Sequence, residues 1–163
     1  MILDLREFDR PGGSIEGEER VQMEDPLAGE VTVPCRIALD YRQTSGTFHF
    51  HGRVAGSFAS RCHRCLDPVN VAIDGDFDLM VRRGAHGGET AEDMVVLSPS
   101  EHHLDLSPVI RETVLLNEPM IVLCSESCRG LCPECGANRN REACHHGEAA
   151  DSRWDALRDM KQE

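Results

Sequence analysis

Five of the eight cysteines fall within residues 124–146, which read C-S-E-S-C-R-G-L-C-P-E-C-G-A-N-R-N-R-E-A-C-H-H. No other stretch constrains the fold as tightly. Thiolates at this spacing suit a tetrahedral zinc ion, and the binding energy of such an ion becomes folding energy. Cys132-Pro133-Glu134-Cys135-Gly136 has the form of a zinc knuckle. Two thiolates bite one ion, and the glycine permits the tight turn that aims backbone amides at sulfur. Cys144 follows after eight intervening residues and His146 lies two positions beyond it, so this group offers three sulfurs and one nitrogen.

A second C-x-x-C lies far upstream, at Cys62-His63-Arg64-Cys65, and Cys124 and Cys128 form a further pair. These two pairs can close a site of four thiolates. A competing grouping places Cys128, Cys132, Cys135 and Cys144 on a single ion and leaves Cys62, Cys65 and Cys124 as thiols. Either arrangement is fully ligated. No position remains for a catalytic water, which is the mark of structural zinc. A thioredoxin-type reading of C-H-R-C needs a helix behind the first cysteine, and Leu66-Asp67-Pro68 offers none. Cys35 sits in an apolar strand and reads as a core residue.

Compartment decides between metal and disulfides. Residues 1–10 carry Asp4, Arg6, Glu7, Asp9 and Arg10 with no apolar run, so no export signal is expected. No stretch approaches the roughly 20 apolar residues of a membrane span. A cytoplasmic protein with reduced thiols is the expectation, and no membrane partner.

At 163 residues the chain suits one domain with a small appendage. The expected organisation is an α+β core over residues 1–123, a zinc module over 124–147 and a short helix or tail over 148–163. Strands are expected at 1–8, 31–41, 47–59 and 71–81, with a turn at 43–46. Pro34 argues for an edge or a bulge. In the third of these, Phe48, Phe50, Val54 and Phe58 share a face with Gly52 and Gly56, which suggests bending or a close backbone approach. His49 and His51 lie on the opposite, solvated face. Residues 9–30 read as a polar connection broken at Pro11-Gly12-Gly13, and residues 82–103, without periodicity and rich in Gly and Glu, as a mobile loop. A helix is expected over 107–117, capped by Ser107 and started by Pro108, with Leu106, Val109, Ile110, Val114 and Leu115 as its apolar stripe. Residues 151–160 read as a short amphipathic helix with Trp154, Leu157 and Met160 inward. The fold class is α+β: a curved antiparallel sheet, one main helix and the C-terminal zinc knuckle.

The net charge of −12 argues against non-specific nucleic-acid binding by the whole surface. The one basic cluster near the knuckles is Arg61, Arg64, Arg129, Arg139 and Arg141, the candidate RNA contacts. There is no Gly-rich phosphate loop and no Ser–His–Asp pattern above chance. No catalytic residues and no small-molecule substrate are expected.

Three blocks together carry a resemblance: R-C-H-R-C-L-D-P, then L-D-L-S-P-V-I-R-E-T-V-L-L-N-E-P-M, then L-C-S-E-S-C-R-G-L-C-P-E-C-G-A-N-R-N. In this order they resemble the YceD family over roughly residues 61–146. The resemblance implies a bacterial or plastid protein needed for accumulation of the large-subunit (23S) ribosomal RNA. Its gene would commonly neighbour that of a small large-subunit ribosomal protein, and no enzymatic activity is established for the family. Many relatives close the last block with C-x-C. Here His146 takes the second of those positions, with His145 between. The implied function is non-catalytic ribosome biogenesis, with a large-subunit ribosomal protein or an rRNA precursor as partner. An acidic chain complements a basic ribosomal protein, so an adaptor is favoured over direct RNA contact. The alternatives are a redox-responsive zinc protein, whose thiolates release metal on oxidation, and a transcription-associated zinc module.

Overall fold

The computed structural model describes residues 1–8, 10–84, 94–144 and 146. The expected helix at 151–160 and His145 lie outside these residues. Among the described residues, seven strands and one helix follow in chain order: β1 (Ile2–Asp4), β2 (Gly12–Asp25), β3 (Gly29–Thr44), β4 (Thr47–Arg61), β5 (Pro68–Arg83), β6 (Met94–Leu97), β7 (His103–Asp105) and α1 (Ser107–Leu116). Five form one open sheet in the order β2-β3-β4-β5-β6, while β1 pairs with β7. The fold is therefore mostly sheet, with one short helix.

Strict alternation makes β3, β4 and β5. Val33, Cys35, Ile37 and Leu39, then Phe48, Phe50, Val54 and Phe58, then Val71, Ile73, Phe77 and Val81 all enter the core. Residues at every second position share a sheet face, so one face is apolar and the other solvated. Ser45 and Gly46 both take positive φ (49° and 80°) and join β3 to β4 as a two-residue hairpin. Gly52 pairs with Phe77, and a Cβ on Gly52 would clash with the Phe77 ring. The close approach read from the glycine pattern is thus an aromatic ring laid over bare backbone.

Several expectations need correction. Residues 12–25 are a strand rather than a polar connection: β2 pairs along its whole length with β3, from Gly12↔Arg42 to Asp25↔Gly29. Its Glu and Gly content masks an alternation that buries Val21, Met23 and Asp25, and tertiary pairing overrides the weak strand propensity. The stretch 82–103 contains β6, which pairs parallel to β5, so the sheet is not wholly antiparallel. Pro34 lies on an interior strand. It pairs with Arg20, and the β3–β4 register starts one residue later at Cys35, so Pro34 sits where that ladder ends. Ser107 does not cap α1. Leu106 is the N-cap, Asp105 Oδ1 accepts the Ser107 N–H at 2.9 Å, and Ser107 Oγ accepts from the Met1 nitrogen at 2.7 Å.

The helix buries Ile110, Thr113 and Val114 against the sheet. Leu115, expected on that face, is 42% exposed. Asn117, at the C-cap, lies over Gly75 of β5 where any Cβ would clash with its side chain. This seats the chain leaving α1 on the middle of β5, and five residues later Val122 O accepts the His63 N–H of the β4–β5 connection.

Asp25 is the one charged residue in the described core, 2% exposed. Its Oδ1 accepts the N–H groups of Leu27 (2.9 Å) and Ala28 (2.5 Å), and its Oδ2 accepts the Ser60 hydroxyl at 2.8 Å. Burial alone would raise its carboxyl, but these donors outweigh burial and hold it below the usual carboxylate range. Asp25→Ala is expected to cost about 2–3 kcal/mol in urea unfolding at neutral pH, because the buried Ser60 hydroxyl and two part-buried backbone donors lose their acceptor. The folded-state carboxyl is depressed, so its contribution is complete above the ordinary carboxylate range and is lost as pH falls through the folded value. The stability gap between the two proteins should therefore close on acidification.

Candidate metal centres

The two C-x-x-C segments fold alike. In the first, the Cys62 N–H donates to Asp67 O (2.8 Å) and the Leu66 N–H to Cys62 O (2.9 Å). In the second, the Cys132 N–H donates to Ala137 O (2.8 Å) and the Gly136 N–H to Cys132 O (2.9 Å). Leu66 (φ 60°) and Gly136 (φ 72°) occupy the same left-handed place. The first knuckle thus uses a leucine where the second uses glycine, at a strain of about 1 kcal/mol. It is the loop between β4 and β5, whose register closes at Arg61↔Pro68.

Two four-ligand groups result. Cys62, Cys65, Cys124 and Cys128 have their sulfurs within 4.8 Å of one another, and so do the ligand atoms of Cys132, Cys135, Cys144 and His146. Cys62 and Cys128 sulfurs are 3.8 Å apart and those of Cys65 and Cys124 3.5 Å. The single-ion grouping of Cys128 with Cys132, Cys135 and Cys144 is not the one the fold assembles. Cys128 faces the β4–β5 loop because the His63 N–H donates to Val122 O (2.8 Å), which draws the exit of α1 onto the knuckle. None of the eight cysteines is in a disulfide, and Cys35 is a core residue 2% exposed.

The donor sets fit a thiophilic ion. Burial would raise the Cys62 thiol, but the amides of Cys65, Arg64 and Cys124 bring it down to about 6. The amides of Cys135 and Glu134 bring Cys132 down to about 6 as well. The Asp67 amide favours the Cys65 thiolate, but burial and the three neighbouring sulfurs push that thiol up to about 12. Four sulfurs crowded together resist holding four negative charges, which is the condition a bound dication relieves.

The centres differ in cover. Cys62, Cys65 and Cys128 are buried and pack against Val69 and Leu123. In the second group only Cys132 is buried, while Cys135 and His146 are exposed. His146 Nδ1 lies 3.3 Å from Cys144 Sγ, and its Nε2 lies 3.6 Å from Glu134 Oε2. A carboxylate on the far nitrogen is the usual means of orienting a metal-binding imidazole.

The centres are joined by residues that a search for ligand types passes over. The Asn140 side chain accepts the Arg129 N–H (2.8 Å) and donates to Cys128 Sγ (3.4 Å). Asn138 Nδ2 donates to Asp67 Oδ2 (3.2 Å), and Arg141 pairs with Asp67 Oδ1 (3.1 Å). The sequence signal was the A-N-R-N run itself: two asparagines flanking an arginine directly behind a knuckle.

The candidate RNA-contacting arginines separate accordingly. Arg64 donates to Cys128 O (3.1 Å), Arg61 to Leu66 O (3.4 Å), and Arg141 is held by Asp67. Arg129 and Arg139 instead line an open cleft of about 590 Å³ between the two centres, with Cys128, Glu142 and Cys144. His51 lies on the solvated sheet face, its Nδ1 2.9 Å from Asp78 Oδ1. No described helix is long and apolar enough to cross a membrane.

The family described as "Large ribosomal RNA subunit accumulation protein YceD" matches residues 50–161. An uncharacterised protein of Mycobacterium tuberculosis is 33% identical over 110 residues, covering 67% of this chain and 53% of its own length. The chloroplastic "Large ribosomal RNA subunit accumulation protein YCED homolog 1" of Arabidopsis thaliana is 32% identical over 158 residues, covering 80% of this chain and 49% of that protein. The maize homolog 1 is 22% identical over 144 residues. The chain spans about half the length of these curated relatives. No solved structure matches it. The family is named for ribosomal RNA accumulation and not for an enzymatic activity. Its match extends over both knuckles, α1 and the sheet strands that position them, and the chain belongs to the YceD family.

Proposed function

We propose that this chain is a non-catalytic ribosome biogenesis factor of the cytoplasm. It supports accumulation of large-subunit ribosomal RNA as an adaptor that binds a large-subunit ribosomal protein. Cys62, Cys65, Cys124 and Cys128 would hold one zinc ion, and Cys132, Cys135, Cys144 and His146 a second. Zinc here supplies structure: with four protein ligands each, neither centre keeps an open position for water.

The observation that carries the adaptor reading is the fate of the arginines. Three of the five are engaged in holding the knuckles, on Cys128 O, Leu66 O and Asp67. That leaves Arg129 and Arg139 to meet phosphate, on a chain of net charge −12. Phosphate binding of useful strength draws on many cations, whereas a basic protein is attracted by the same acidic surface. Depletion is expected to lower 23S rRNA and large-subunit precursors while 16S rRNA persists. Pulldown of the full chain should retain a large-subunit ribosomal protein after nuclease treatment. Loss of every ribosomal protein on nuclease treatment would assign the contact to the rRNA precursor instead. Co-sedimentation with polymerase rather than with pre-ribosomes would favour the transcription-associated reading.

A redox role has one observation in its favour, the exposure of Cys135 and His146 at the second centre. Mild peroxide followed by zinc release and a change in activity would support it. Slowly exchanging, oxidation-resistant zinc would exclude it.

A further inference from the structure

The last turn of α1 and the segment after it display four large apolar side chains within seven residues. Leu115 is 42% exposed, Leu116 76%, Met120 95% and Ile121 66%. Isolated exposed leucines are ordinary, but four large apolar side chains exposed so close together on a single segment point to a contact surface. The patch is held at both ends. Upstream, Asn117 caps the helix and lies over Gly75. Downstream, Val122 is buried, its carbonyl accepts the His63 N–H, and Leu123 packs on the first cysteine cluster. A fixed apolar surface loses little entropy on binding, and methionine adapts to irregular partners.

Charge selects among the possible occupants. Within residues 107–128 the charged side chains are Glu112, Glu118 and Glu126 against Arg111 alone. The last turn of α1 carries no basic residue, so the partial negative charge of its C-terminus is uncompensated. RNA and anionic lipid would meet this rim with like charge. A second copy would set one acidic rim against another. The chain's own residues 147–163 carry Glu148, Asp151, Asp155, Asp159 and Glu163 against Arg153, Arg158 and Lys161, and so are acidic too.

We infer that Leu115, Leu116, Met120 and Ile121 form the docking surface for a basic protein segment that presents apolar side chains. Lysines or arginines of that segment face Glu112, Glu118, Glu126 and the carbonyl end of α1. This rests on the adaptor reading and gives it a location: the partner binds beside the first cysteine centre, and not in the cleft of Arg129 and Arg139.

The test immobilises the full chain and offers it the basic proteins stripped from large ribosomal subunits by high salt and treated with nuclease. Three chains are compared: the unaltered protein, Leu116→Ser/Met120→Ser, and Ile2→Ser. Ile2 is a 67% exposed apolar residue on β1, outside the patch. Central apolar anchors of an interface are each worth more than about 1 kcal/mol, so the double variant should bind at least tenfold more weakly. Ile2→Ser should bind as the unaltered chain does, and binding should fall as salt rises. Circular dichroism and metal content should match in all three, since the altered side chains are exposed. Equal capture by the double variant and the unaltered chain overturns the docking surface and leaves the adaptor reading standing. No capture by the unaltered chain overturns the adaptor reading and the surface with it. A dimer in sedimentation velocity that the double variant abolishes reassigns the patch to a second copy and overturns the inference.

Discussion

Cys62→Ser is expected to cost several kcal/mol, strip the metal from the first centre and release residues 124–128 from the β4–β5 loop. The physical reason is the size of the term being removed. Structural zinc contributes on the order of 10–16 kcal/mol in small modules, while a whole domain is commonly stable by only about 5–15 kcal/mol. Cys62 is fully buried at 0% exposure, beside Cys65 and Cys128, and little apolar surface backs them beyond Val69 and Leu123. Without the ion, the three buried sulfurs and the exposed Cys124 sulfur would confront one another with no compensating charge. His146→Ala should act on the second centre alone, because its imidazole is exposed, belongs to that group of ligands and has its polar contacts on Cys144 and Glu134. Native mass spectrometry should count two zinc ions in the unaltered chain, one in His146→Ala, and one or none in Cys62→Ser. Thermal unfolding should show the larger loss for Cys62→Ser. One zinc ion in the unaltered chain, retained unchanged by Cys62→Ser, would falsify the two-centre assignment.

Legibility in the sequence followed the strength of the local physical signal. In β3, β4 and β5 the burial alternation is nearly unbroken, so parity alone places Phe50 or Ile73 in the core. β2 hides because Glu16, Glu18 and Glu24 occupy its solvated positions, while Gly17 and Glu19 interrupt the inward side between Ile15 and the buried Val21 and Met23. β6 and β7, at four and three residues, are too short to show a period. Leu115 misleads in a different sense: the helix is more apolar than its core contact requires, and the surplus, Leu115 and Leu116, faces outward. The second knuckle advertises itself through Gly136. The first conceals the same turn behind Leu66, whose side chain makes a left-handed conformation unexpected. Asn138, Asn140 and Asp67 show in the sequence only as polar residues directly behind a knuckle, which does not assign them a part in the site. Their role is to join two loops distant in sequence, and no spacing rule within one loop can express that.

Gly130→Val should separate the two centres while leaving each set of ligands intact, at a cost of about 3 kcal/mol or more. Gly130 has φ of 71°, a conformation that costs any side chain strain and a β-branched one most. A Cβ there would also lie 3.0 Å from Arg64 O, a backbone atom that cannot turn aside. That carbonyl accepts the Leu131 N–H at 3.0 Å, and Gly130 O accepts the Arg139 N–H at 3.0 Å. The substitution thus pushes apart the seam on which the second knuckle rests. With the seam open, Asn140 would leave Cys128 Sγ, to which it now donates at 3.4 Å. Burial works to raise the Cys128 thiol, and the Asn140 amide is the first of the groups that bring it down. Losing an outer hydrogen bond of this kind typically weakens metal binding 10–100-fold. Zinc should therefore still count two per chain, while competition with a chromogenic chelator should empty the first centre sooner than in the unaltered protein. Asn140→Ala should reproduce the faster loss with a smaller effect on thermal stability, because it removes the hydrogen bond without straining the backbone. If both variants release zinc at the unaltered rate, the A-N-R-N run has no part in holding the first centre.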